Sequence, residues 1–151
     1  MKKVVKFGGS SLASAEQFKK VADIIHADKE RRYVVPSAPG KRYSADTKVT
    51  DMLYGCYHLA EEGKDFKKEL AAIEARYQEI IDGLGLSLSL KDEFKTIEKD
   101  FKEKAGENYA ASRGEYLNGI IMANYLGFEF VDAAQVIRFK DNGEFDSELT
   151  N

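Results

Sequence analysis

The chain opens with a strand, a pair of glycines, a helix and a second strand, and this order limits the fold more than any other feature. Val4, Val5 and Phe7 are β-branched and aromatic strand formers, so the backbone is expected to run extended to about Phe7. Gly8 and Gly9 are expected to turn the main chain through dihedrals closed to other residues. Ser14-Ala-Glu-Gln17 has the spacing of a helix-starting capping box, and Phe18, Val21, Ala22 and Ile25 then recur at helical spacing as a buried stripe. Arg32 to Pro36 reads as the next strand. Strand, helix and strand within about 35 residues make a βαβ unit, whose two strands run parallel.

In an open α/β sheet the ligand crevice lies beyond the carboxyl ends of the parallel strands. Both strands here end in glycine loops, Gly8-Gly9 and Ser37-Ala-Pro-Gly-Lys41, which would share one edge. Consecutive backbone N–H groups in such a turn form an anion-binding concavity, and Lys6 can add an ammonium beside it. Two readings of the first loop stand: a phosphate cradle, or a strand–helix connection whose glycines only make the bend. It is neither a Walker A loop nor a GxGxxG turn.

The middle of the chain is helical. A helix from Thr50 to about Glu62 carries Met52, Leu53, Cys56, Tyr57 and Leu59. Phe66, Leu70, Ile73, Tyr77, Ile80 and Ile81 mark a second, and Leu90, Phe94, Ile97 and Phe101 a third. Gly83 and Gly85 lie between these two, as an αα-hairpin requires. A further helix is expected over Asn108 to Leu126 with Gly127 as its C-cap. Phe128 to Val131 reads as a strand, Val136 to Phe139 as the start of another, and Asp141-Asn-Gly143 as a turn before an acidic, weakly structured end. The fold class is therefore α/β, with a small, mainly parallel sheet and a helical-hairpin insert. So few strands, with an unprotected edge, describe an incomplete domain.

Composition narrows the function. The 151 residues carry a net charge of −3, which provides no electrostatic footprint for nucleic acid or anionic membrane. No apolar run approaches a membrane span and no signal peptide is apparent. The single cysteine, Cys56, fits a reducing cytoplasm and reads as a buried structural thiol. His26 and His58 lack the neighbours of a zinc site or a catalytic triad, so no metal ligands are assigned.

The polar residues left for chemistry are Lys6, Ser10, Ser37, Lys41, Thr50, Asp51, Ser112, Arg113 and Glu115. They offer cations for a phosphoryl group, hydroxyls for a carboxylate and a carboxylate for an ammonium. That set suits phosphoryl transfer to a small zwitterion, a reaction that needs positioning and charge neutralisation more than covalent chemistry.

Five segments in order carry a family resemblance: Lys6-Phe-Gly-Gly-Ser-Ser11, Val34-Val-Pro-Ser-Ala-Pro-Gly-Lys41, Thr50-Asp51-Met-Leu53, Ser112-Arg-Gly-Glu115 and Val131-Asp-Ala-Ala134. Together they resemble the aspartate kinases of the amino-acid kinase superfamily, whose domain is an αβα sandwich. The resemblance implies that residues 1–151 form the amino-terminal, substrate-side part of such a domain. The nucleotide lobe, with its Gly-Arg-Gly-Gly-Ser-Asp segment, and the ACT regulatory domains would lie outside these residues. It implies transfer of phosphate from ATP, with Mg²⁺, to the β-carboxylate of L-aspartate, the first step of lysine, threonine and methionine biosynthesis.

By the same resemblance Lys6, Phe7, Gly8, Gly9 and Ser10 would hold phosphate, with Lys6 catalytic, while Ser37, Thr50 and Glu115 would bind aspartate. The segment alone is expected to have little or no kinase activity, and the resemblance leaves a homo-oligomer open. Three features depart from the family pattern. The Lys41–Val49 stretch is longer than in many relatives, which makes Thr47 a competitor to Thr50. Pro36 and Pro39 should stiffen their loop. Asn118 stands where a serine often occurs. Another amino-acid kinase acting on glutamate or acetylglutamate, and a non-catalytic interaction module, are the competing readings.

Overall fold

The computed structural model describes residues 1–136, 138–139 and 145–146. Strand β1 (Lys3–Phe7) leads through a short 3₁₀ turn (Gly9–Leu12) into helix α1 (Ala15–His26), and strand β2 (Arg31–Pro36) follows. The two strands pair in parallel, with Val5 beside Val34 and Phe7 beside Pro36. The expected βαβ unit is therefore formed. The Ser14 hydroxyl accepts from the Gln17 N–H at 3.4 Å and starts α1 where the capping signal lies. Val5, Phe7 and Val34 pack against the core, while Val4, Tyr33 and Val35 on the opposite face are exposed.

Four long helices build the rest: α2 (Val49–Glu61), α3 (Lys67–Gly83), α4 (Lys91–Lys102) and α5 (Glu107–Leu126). Their apolar stripes meet in one core with the α1 stripe. At its centre Phe101 stands edge-on to Tyr57, with ring centroids 5.3 Å apart, and to Tyr109 at 6.2 Å. Such pairs add about 0.5–1.5 kcal/mol beyond the area they bury. The buried hydroxyls are satisfied: Tyr57 accepts from the Gly106 N–H at 2.9 Å, and Tyr77 donates to the Gly114 carbonyl at 2.8 Å. Gly127 closes α5 in the left-handed conformation (φ 71°), as its C-cap position predicts. Cys56 is fully buried, and loss of solvation pushes its thiol up to about 12, consistent with a structural role.

The carboxyl-terminal part differs from expectation. Residues 128–131 form no strand. Their alternation of phenylalanine with polar or exposed residues has a different cause: Phe130 stacks edge-on against Tyr116 of α5, 5.6 Å between centroids, and lies over Gly119. A short helix α6 (Ala133–Val136) comes next, so the following strand starts later than expected, as β3 (Arg138–Phe139), paired antiparallel with β4 (Phe145–Asp146). The Asp141–Gly143 turn lies outside the described residues, as does most of the acidic end.

Candidate functional site at the strand ends

The two glycine loops do share one edge, and they interlock. The Ser37 N–H extends the parallel ladder to the Phe7 carbonyl at 3.0 Å, and the Gly40 N–H donates to the Gly9 carbonyl at 2.8 Å. A Cβ on Gly40 would stand 2.6 Å from the Gly9 carbonyl carbon and 2.8 Å from the Ser10 nitrogen. A Cβ on Gly9 would meet the Ala38 carbonyl oxygen at 2.9 Å. These are contacts between main chains, so no side chain can move aside.

This corrects the expected role of the first glycine pair. Neither Gly8 nor Gly9 has a positive φ, and Gly8 (φ −76°, ψ 170°) adopts a conformation open to any residue. Gly9 is required for close approach to the second loop, not for a special dihedral. Among the described residues no side chain caps the 3₁₀ turn at Gly8. Gly8 and Ser10 are exposed, and so is Lys6, which forms no ion pair among the described residues. The Phe7 side chain, by contrast, packs against the core.

Two helices close on the second loop. The Val49 N–H at the start of α2 donates to the Pro39 carbonyl at 3.0 Å, which brings half-buried Thr50 in the first turn of α2 to the same loop. Thr47 is exposed, and its carbonyl accepts from Arg76 Nη1 at 2.9 Å. From the other side α5 presents Gly114, where a Cβ would fall 2.7 Å from that of Ala38, and Asn118, whose Nδ2 donates to the Ser37 carbonyl at 2.7 Å. Exposed Glu115 stands next to Gly114, near enough to Tyr77 that its charge adds to the burial raising that phenol. Ser112 is occupied locally: its hydroxyl donates to the Tyr109 carbonyl and accepts from Arg113. The Arg113 guanidinium lies over the Tyr109 and Tyr116 rings at 4.7 and 4.3 Å.

The structure therefore brings the Gly8–Ser10 loop, the start of α2 and the Gly114–Asn118 turn of α5 together around Ala38–Gly40 of the Ser37–Lys41 loop. It also shows that the sequence reading passed over Arg76 and its partner Asp46. Arg76 on α3 is only 4 % exposed and holds the Gly40 and Thr47 carbonyls, while its Nη2 lies 3.4 Å from Asp46. Asp46 also accepts from the Arg42 guanidinium at 2.8 Å, and that bond holds its carboxyl well below the usual range. A sequence signal existed: Arg76 interrupts the buried stripe of Ile73, Tyr77 and Ile80 at helical spacing. Asn118 is fully buried with no partner for Oδ1 among the described residues. Two surface hollows, one lined by Lys95, Glu98 and Lys99 and the other by Asp92, Tyr109 and Arg113, do not reach these loops.

The sequence profile of the family described as "Amino acid kinase family" matches residues 1–150. The chain is 40 % identical to Aspartokinase 3 of Bacillus subtilis over 149 residues, covering 95 % of this chain and 33 % of the relative. The crystal structure of Clostridium acetobutylicum aspartate kinase superposes with a TM-score of 0.93 at 47 % identity, covering 99 % of this chain and 35 % of that one. The structure of E. coli aspartokinase III in complex with aspartate and ADP superposes with a TM-score of 0.78 at 23 % identity, covering 99 % and 36 %, and shares the fold. The chain thus spans about a third of the length of the relatives it matches.

Proposed function

Because the chain belongs to the amino acid kinase family, we propose that it is the substrate-side, amino-terminal part of an aspartate kinase, with the nucleotide lobe and the ACT domains outside these residues. The observation that carries this reading is the convergence of three motif-bearing segments on the Ala38–Gly40 backbone of a fourth. The 40 % and 47 % identities to aspartate kinases support the choice of aspartate over other amino acids.

In this reading Lys6 neutralises charge on the transferring phosphoryl group, and N–H groups of the Gly8–Ser10 loop donate to its oxygens. Thr50 and Ser37 bind the aspartate carboxylate end, and Glu115 holds its ammonium. The β-carboxylate is already ionised at neutral pH, so no general base is required. One of its oxygens attacks the γ-phosphorus of ATP, the bond from that phosphorus to the bridging oxygen of ADP breaks, and 4-phospho-L-aspartate forms. Among the described residues there is no group of three or more His, Cys, Asp or Glu able to hold a metal ion. Mg²⁺ belongs to this reading as a proposal, and it would offset the charge of the phosphates. Among the described residues no helix is long and apolar enough to cross a membrane, and a cytoplasmic location is part of this reading.

A coupled assay of the full-length protein carrying these residues, with aspartate, glutamate or acetylglutamate as acceptor, tests it. Aspartate-dependent ADP release is expected, and Lys6→Ala should lower it about a hundredfold. Faster turnover with glutamate or acetylglutamate would overturn the substrate assignment. The 151-residue segment alone should show no turnover above its own Lys6→Ala control.

A further inference from the structure

We propose that Arg76 is a positioning residue for the aspartate side of the site: it acts through main-chain carbonyls at both ends of the Gly40–Thr47 excursion, without touching substrate. The proposal rests on the aspartate kinase reading. A guanidinium buried to this degree is costly unless its N–H groups are used, and while Nε has no partner among the described residues, both terminal nitrogens do. Arg76 directs Nη2 to the Gly40 carbonyl and Nη1 to the Thr47 carbonyl at 2.9 Å. Gly40 is the residue clasped to Gly9, and Thr47 lies just before the Lys48 N-cap of α2. One planar group therefore fixes where the loop leaves the strand end and where it returns as the helix bearing Thr50. The rigid fork of arginine spans two such acceptors, which a single lysine ammonium does not.

The surroundings fit a latch. Asp46, from inside the excursion, lies between Arg76 and Arg42, and Glu79 pairs with Arg42 at 3.0 Å. Two guanidinium groups and two carboxylates thus balance around the loop. The phosphate loop has an independent anchor in the β1–β2 ladder and the Ser37–Phe7 bond. Loss of the latch should then displace Thr50 more than Gly8–Ser10, which separates aspartate binding from nucleotide binding.

Steady-state kinetics of Arg76→Lys and Arg76→Met in the full-length protein test this. Both variants should raise KM for aspartate about tenfold or more, with KM for ATP within about twofold of wild type. Asp46→Asn, which removes the carboxylate charge that holds the Arg76 guanidinium beside both carbonyls, should raise it about threefold. An unchanged aspartate KM in folded Arg76→Lys, or aspartate and ATP KM values rising together, would overturn the proposal. Should the Arg76 variants not fold, Asp46→Asn decides: a rise confined to aspartate supports the latch, and wild-type values for both substrates overturn it. Absence of aspartate phosphorylation by the wild type would instead sink the kinase reading. Amide exchange in Arg76→Lys then decides the latch itself: faster exchange at Gly40 and Val49 retains it, and an unchanged rate overturns it.

Discussion

The helical side and the strand side of this molecule are held together in opposite ways. Among the helices, side chains do the work: Phe101, Tyr57, Tyr77 and Leu117 are almost completely buried. At the strand ends the contacts are main chain to main chain, Gly9 against Gly40, while the outer sheet face leaves Val35 47 % exposed. The difference teaches that a site can be fixed tightly where little side-chain area is buried, provided glycine lets two backbones touch. Tolerance to substitution should therefore follow contact type more than depth.

The largest effect should come from the helical side. Phe101→Ala removes the ring at the centre of the aromatic cluster and should cost about 4 kcal/mol in chemical denaturation. Gly40→Ala should cost about 3 kcal/mol, because its methyl would meet fixed backbone, while Gly8→Ala, with nothing within 4 Å, should change stability by about 0.5 kcal/mol or less. Equal costs at Gly40 and Gly8 would break the comparison. The smallest effect belongs to the bare sheet face, where Val35→Thr should stay within about 0.5 kcal/mol. A cost there approaching that of Phe101→Ala would mean that this face is covered in solution.

Helix α4 was legible because its apolar period is long and unbroken, through Leu90, Phe94, Ile97 and Phe101. Residues 128–131 misled for a physical reason. Alternation records that one side of a segment is apolar, but not whether a neighbouring strand exists, and Phe130 found α5 instead. The site was legible as motifs but not as mechanics. The glycine loops were readable, yet the need for Gly9 comes from where a distant loop lies, not from its own dihedral. Arg76 was less accessible still. Its partners Gly40 and Thr47 are main-chain carbonyls, which carry no side-chain signature in a sequence.

The Gly9–Gly40 clasp also constrains inheritance. At most contacts, a change that enlarges one partner can be offset by a second that shrinks the other. Here both partners are already the smallest residue, so no offsetting change exists at either position. A change at either glycine therefore leaves only movement of the backbone to restore the fit.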